Sequence, residues 1–275
     1  MREFELEKKS VSVIVPTCES EAVIEFCLRS VLNQSWPVCE VLVVDCFSRD
    51  HTREIASMFG VSVVLARGTQ AAARNIGLKL SKGEYVFFLD SDQCLDFTVV
   101  ETCVRACVVY GFDAMIIREV FVGQNFWSIS SAFWKNSMVK ACGPRGGIPR
   151  FFRKDILLAS GAFDVGMRFW DDLALYQRLK SMGAKVGFCD KKIVHYEEGS
   201  LRRIVQKYYL FGQSIAKFKS MPPKAYTLTF QLTLATITQV LRSSASFSVF
   251  CGCFLLFALK SLSAVLGLFF KLFNK

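Results

Sequence analysis

From residue 11 onward, short apolar runs alternate with longer stretches in which apolar positions recur every three or four residues. The runs suit strands buried on both faces, and the stretches suit amphipathic helices. VSVIVP (11–16) reads as the first strand, ended by Pro16. Ser20 then caps a helix carrying Val23, Ile24, Cys27, Leu28 and Val31 on one side, and QSWP breaks it. EVLVVD (40–45) is the second strand, followed by a short helix capped by Asp50 and closed by Gly60. VSVVLA is a third strand, Thr69 opens another helix ending near Gly83, and EYVFFLD (84–90) is the fourth strand. This alternation predicts an α/β fold, with a Rossmann-like, mostly parallel sheet flanked by helices.

In such sheets ligands sit beyond the carboxyl ends of the strands, where this sequence places Thr17, Asp45 and the pair Asp90/Asp92. The turn after the first strand reads PTCESE, without the G-x-G-x-x-G that lets a dinucleotide pyrophosphate approach the backbone. Two aspartates one residue apart after a buried strand offer hard oxygens to Mg²⁺ or Mn²⁺. An acidic turn capping the next helix explains the same residues, and the pattern alone leaves both readings open.

Composition narrows the partners. The net charge of +10 suits nucleic acid, an anionic membrane or a phosphorylated substrate. No RNA-binding signature or zinc-finger spacing is present, so nucleic acid is not expected. Eleven cysteines without a CxxC, and two histidines far apart (His51 and His195), argue against a zinc site. The cysteines read as buried thiols of a reducing compartment. MREFELEKKS lacks a signal-peptide apolar core, which predicts a cytoplasmic catalytic region.

Three blocks carry a resemblance: residues 11–52 (VSVIVPTCESE to VVDCFSRDHT), AAARNIGLKLSKGEYVFFLDSDQ, and GAFDVGMRFWDDLALYQRLKSMGAKV. In that order and spacing the chain resembles the family 2 glycosyltransferases of GT-A fold, over about residues 11–215. The resemblance implies that Pro16, Thr17 and Glu19 border the nucleobase and that Asp45 is the first acid after the second strand. Cys46 stands where many relatives have a second aspartate. Asp90 and Asp92 would hold the metal and diphosphate, with Arg74 reaching the base or phosphates. Asp172, with Asp171 beside it, aligns with the general base that takes the acceptor's proton during an inverting displacement. Helix capping explains one acid of that pair equally well. His195 is implied as an extra metal ligand, although a lone histidine also suits a packed position. Arg150 and Trp170 fall on the acceptor side, with Gly146 and Gly147 allowing a mobile loop. The Q-x-x-R-W of processive synthases is replaced by YQRLK, so repeated extension of a polymer is not expected.

The end of the chain changes character. AYTLTFQLTLATITQVL (225–241) has almost no charge but five threonines and two glutamines, more consistent with an interfacial or partner-packed helix. Residues 245–270 contain one charge, Lys260, in 26 positions. As a helix this run would be about 39 Å long, enough to span a bilayer, though a central lysine costs about 3 kcal/mol. Arg202, Arg203, Lys207, Lys217, Lys219 and Lys224, interleaved with Tyr208, Tyr209, Phe211 and Phe218, precede it and suit an anionic leaflet. A solvated amphipathic helix is the simpler alternative.

The resulting expectation has three parts: a charged tail (1–10), a GT-A domain (11–215) and a hydrophobic, membrane-associated helical region (216–275). It predicts a metal-dependent inverting enzyme that moves one sugar from a nucleotide donor to a lipid-linked or lipid-phosphate acceptor. A catalytically silent GT-A module remains as an alternative because of Cys46. A nucleotidyltransferase is disfavoured by the absence of a glycine- and lysine-rich phosphate loop.

Overall fold

The computed structural model describes residues 9–143, 147–167, 170–215, 223–243 and 245–273; the side chains of 215, 223–231 and 272–273 fall outside this description. The chain divides into two compact units. One takes the residues up to Glu119 together with Gly147–Val194, and the other takes Val120–Gly146 with His195–Lys275.

In the first unit, β1 (Val11–Thr17), β2 (Glu40–Asp45), β3 (Ser62–Leu65) and β4 (Tyr85–Phe88) run parallel in the order β3-β2-β1-β4. The crossovers carry α1 (Ile24–Leu32), α2 (Thr52–Met58) and α3 (Gln70–Leu80). After β5 (Gln93–Leu95) and α4 (Val99–Tyr110) come β6 (Ala114–Val122), β7 (Pro149–Arg153), α6 (Lys154–Ala159), α7 (Asp171–Ser181) and β8 (Val186–Tyr196). The β4–β7 and β7–β6 pairs are antiparallel, so β7 runs against the direction of the first four strands in an otherwise mostly parallel, mixed sheet.

Alternate strand residues enter two cores. Val13, Val43 and Phe87 join a cluster with α1 and α4, whereas Ile14, Val44 and Phe88 join another with α3 and α7. Burial on both faces is why these strands read as unbroken apolar runs. At Gly77 an added Cβ would lie 2.5 Å from a methyl carbon of Ile14, so only glycine lets α3 approach β1 this closely.

Three sequence expectations are corrected. β1 continues through Pro16 to Thr17; β4 pairs with β1 only as far as Ile14, so the missing N–H at Pro16 leaves no bond to β4 unmade. The Ser20 side chain does not cap α1: its backbone carbonyl accepts from Val23 and Ile24, and Val23 occupies the cap position. Cys18 and Cys46 form a disulfide with Cα atoms 5.2 Å apart, and Cys39, Cys142 and Cys251 are exposed. The pairing follows from register. Thr17 lies opposite Asp45 in adjacent parallel strands, so the next residue of each strand meets the other. The cysteines therefore no longer argue for a reducing compartment.

The second unit is mainly helical, with α5 (Phe126–Cys142), α8 (Leu201–Ile215), α9 (Pro223–Leu241) and α10 (Phe247–Phe273). Asn125 and Ser128 form a capping box at the start of α5. Of α10, Phe247–Lys271 is long and apolar enough to cross a membrane by length and composition. Gly146, Lys217, Phe218 and Lys219, and the side chain of Lys224, lie outside the described residues.

Candidate active site

The carboxyl ends of β1 and β2 continue into two loops fastened to each other. The Thr17 hydroxyl donates to Asp45 Oδ2 at 2.9 Å, and the next step is the Cys18–Cys46 bond. Beyond it the Glu19 amide donates to Ser48 Oγ (2.9 Å), the Ser20 amide to Thr52 Oγ1 (2.7 Å) and the Arg49 amide to Glu19 Oε1 (2.9 Å). Asp45 is fully buried and also accepts from the Ser48 amide and hydroxyl. Thr17 and Asp45 thus hold the two loops together from beneath. Glu19 and Phe47 hold positive φ (51° and 64°), a conformation that side chains other than glycine adopt at a cost.

The Asp90–Asp92 turn is attached to this edge. Ser91 Oγ lies 2.9 Å from Ser20 Oγ, and the Asp90 amide donates to Gln93 Oε1 at 3.0 Å. Asp90 sits between two guanidinium groups: Arg74 Nη2 reaches Oδ1 at 2.9 Å and Arg150 Nη1 reaches Oδ2 at 3.1 Å. Gln70 adds an amide donor to Oδ1 at 2.8 Å. Arg74 continues to Asp171 Oδ2 at 3.1 Å, and Arg150 to Glu119 Oε1 at 2.5 Å. A largely buried chain of alternating charge, Glu119–Arg150–Asp90–Arg74–Asp171, therefore joins strand, turn and helix. Burial opposes the charge on Arg150, but Glu119 and Asp90 outweigh it and raise its pKa. Arg74 Nε is buried and makes no hydrogen bond, an unsatisfied donor of the kind that an anionic ligand would relieve.

At the start of α7 the two acids separate. Asp171 points into the charge chain, and burial pushes its carboxyl up, against the pull of Arg74. Asp172 is half-buried, accepts the Leu173 amide at 2.8 Å, and lies close enough to Arg150 to help stabilise that cation. Trp170, in the cap position, has φ 60°; a bulky residue held there signals a backbone over-determined by its surroundings. Leu175 and Leu179 are buried as the helical spacing predicts, and Leu173 and Tyr176 are half-buried.

Among the described residues no group of three or more His, Cys, Asp or Glu side chains is arranged to hold a metal ion. The expected convergence of Asp90, Asp92 and Asp172 on one cation is therefore not present as a preformed cage. Both oxygens of Asp90 are committed to arginine. Mg²⁺ and Mn²⁺ sites that rely on substrate phosphates need only one or two carboxylates. Asp92, on the same turn and near enough to Cys27 to raise its thiol pKa beyond what burial does, fits that role. His195 belongs to the second unit, where its ring packs 4.9 Å from that of Phe121. Gln70 and Glu119 were not expected. Gln70 is one helical turn before Arg74, so its shared face was legible, whereas Glu119 meets Arg150 only through the antiparallel part of the sheet.

Comparison with known proteins gives consistent results. Glycosyltransferase AglE of Haloferax volcanii is 41% identical over 218 residues, covering 74% of this chain and 72% of the relative. Against two other curated relatives the chain spans only about a third of their length (32% and 33%). The mannosyltransferase PcManGT of Pyrobaculum calidifontis, solved with GDP-Man and Mn²⁺, superposes with a TM-score of 0.61 at 17% identity over 97% of this chain and 88% of that one. S. aureus TarS 1-349 with UDP-GlcNAc gives 0.55 at 17% identity, over 93% and 81%. These structural likenesses show the fold. The model of Glycosyl transferase family 2 matches residues 12–169, more than half of the chain, and the chain belongs to that family.

Proposed function

We propose that this protein is an inverting, metal-dependent glycosyltransferase that moves one sugar from a nucleotide-sugar donor to a lipid-linked or lipid-phosphate acceptor at a membrane surface. The observation that carries this reading is the charge chain through Asp90 with Asp172 beside it: cations placed for a diphosphate, and a half-buried carboxylate at their edge. The nucleotide sugars in the TarS and PcManGT structures, and the Mn²⁺ in the latter, support the donor class and the metal.

Bound through Asp92 and the donor's phosphates, Mg²⁺ or Mn²⁺ would neutralise charge on the departing nucleoside diphosphate. Arg74 and Arg150 hold the phosphates in place while Glu119 keeps Arg150 aimed and Gln70 steadies the Asp90 carboxylate between them. The fastened loops at 17–21 and 45–52 form a rigid rim for the nucleobase. Asp172 accepts the proton of an acceptor hydroxyl as its oxygen attacks the anomeric carbon opposite the diphosphate. With a phosphate acceptor the attacking oxygen is already anionic, and Arg150 takes over as the group that orients it. Trp170 and Arg150 border the acceptor side.

The test is donor turnover by the purified full chain across a panel of uridine and guanosine diphosphate sugars, with Mn²⁺ or with EDTA. Turnover lost in EDTA and restored by Mn²⁺, and lost in Asp92→Ala with an unchanged melting temperature, is the expected result. Full activity in EDTA removes the metal; no hydrolysis or transfer with any donor removes the enzyme.

A further inference from the structure

We infer that α10 does not cross the bilayer but lies along its surface, with one apolar face immersed in the boundary between headgroups and acyl chains and cationic residues of α8 at its edge. This rests on the membrane attachment proposed above and specifies its geometry.

The first observation is what the middle of α10 touches. Lys260 donates to Ser131 Oγ of α5 at 3.1 Å, and that hydroxyl donates to Glu197 Oε2 at 2.7 Å. Glu197 directly follows β8, opens four residues of irregular backbone, and is also paired with Lys135 at 2.5 Å. If α10 stood across a membrane, its centre would carry a strand end, an open loop and two further charged side chains to the bilayer midplane. Irregular backbone and unclosed strands are not tolerated there beside lipid.

The second observation is how the faces of α10 are divided. Cys253, Leu256, Ser263 and Gly267 are buried, spaced at helical intervals around the half-buried Lys260. Gly267 and Gly212 sit so close to the backbone of α8 and α10 respectively that a Cβ at either would lie about 2 Å from a carbonyl oxygen. The opposite face exposes Leu255, Leu262, Val265, Leu266 and Phe269, a stripe too long and continuous for a surface facing water. On α8, Arg202, Arg203 and Lys207 are exposed on one side. An apolar stripe bordered by cations matches the chemistry of an anionic lipid surface.

The test adds purified full chain to the outside of sealed vesicles, either phosphatidylcholine alone or phosphatidylcholine with phosphatidylglycerol. Flotation measures binding, and a membrane-impermeant maleimide read by peptide mass measures access to Ser246→Cys and Lys271→Cys at the two ends of α10. Exposed Cys39 marks the outer side. The expected result is flotation with the anionic vesicles only, weakened about 25-fold by Arg202→Gln with Lys207→Gln at roughly five-fold per charge, and labelling of both introduced thiols. If one thiol reacts only after detergent, α10 spans and this inference fails while membrane attachment stands. Equal flotation with neutral vesicles overturns the role of the cations. No flotation with either vesicle, or a stripe covered by a second copy in sedimentation equilibrium, overturns attachment and inference together.

Discussion

The two units each contain a cluster of paired charges, and the clusters differ in one respect that separates function from architecture. In the first unit, Asp90 lies between Arg74 and Arg150 at the mouth of the sheet, with its side chain 18% exposed, and Asp172 is half-buried near Arg150. In the second, the Glu197 side chain is 6% exposed and closed in by Lys135 and Ser131. The first cluster keeps a buried donor, Arg74 Nε, without a hydrogen-bond partner. The second is satisfied internally. A charge cluster able to exchange a carboxylate for a phosphate sits at an edge; one that fixes helices sits inside, where losing a partner leaves a buried charge uncompensated.

That contrast can be broken by substitution. The largest effect belongs to Asp172→Asn, expected to lower transfer about a thousandfold, as for loss of a general base, with an unchanged melting temperature; a coupled loss of stability would make Asp172 a structural acid. Glu197→Gln is expected to do the reverse, costing about 3 kcal/mol in denaturant melts while leaving donor affinity intact. The same residue sets a pH dependence. Burial alone would raise the Glu197 pKa, but Lys135 and Ser131 outweigh it and hold it below the ordinary value of 4.5. A lowered carboxyl stabilises the fold fully above about pH 4.5 and loses that contribution as pH falls through its folded value. Acid melts of the parent chain should steepen there, and those of Glu197→Gln should not. Reducing Cys18–Cys46, which closes a separation of 28 residues, should cost about 2 kcal/mol, read as a lower melting temperature in dithiothreitol. The smallest effect is Thr69→Ala at the α3 cap, about 1 kcal/mol, because that hydroxyl accepts one amide and donates to one carbonyl, both at 3.3 Å.

Much of the first unit is legible in the sequence. The boundaries of β2 are those of EVLVVD, Thr69 does cap α3, and Leu175 and Leu179 are buried at the predicted spacing. These follow from local rules: period, capping and the apolar length of a strand. Pro16 and Ser20 were misjudged because their roles depend on a neighbour, β4 in one case and the Asp90–Asp92 turn in the other. The cysteines failed for the same reason, since spacing along the chain does not reveal which strands are adjacent. The charge chain was half legible. Asp90, Arg74, Arg150 and Asp171 were each singled out, but that one arginine would bridge two of the acids was not.

The sequence by itself determined the alternation of strand and helix, the acids at the strand ends and the apolar helix near its end, because each is written in neighbouring residues. Tertiary structure alone decided that Asp45 is internal while Asp172 is accessible, that Cys18 meets Cys46, and that Lys260 turns inward to Ser131. Those outcomes depend on which distant segments share a surface, and burial, the quantity that gives a charge its role, exists only after the chain has packed.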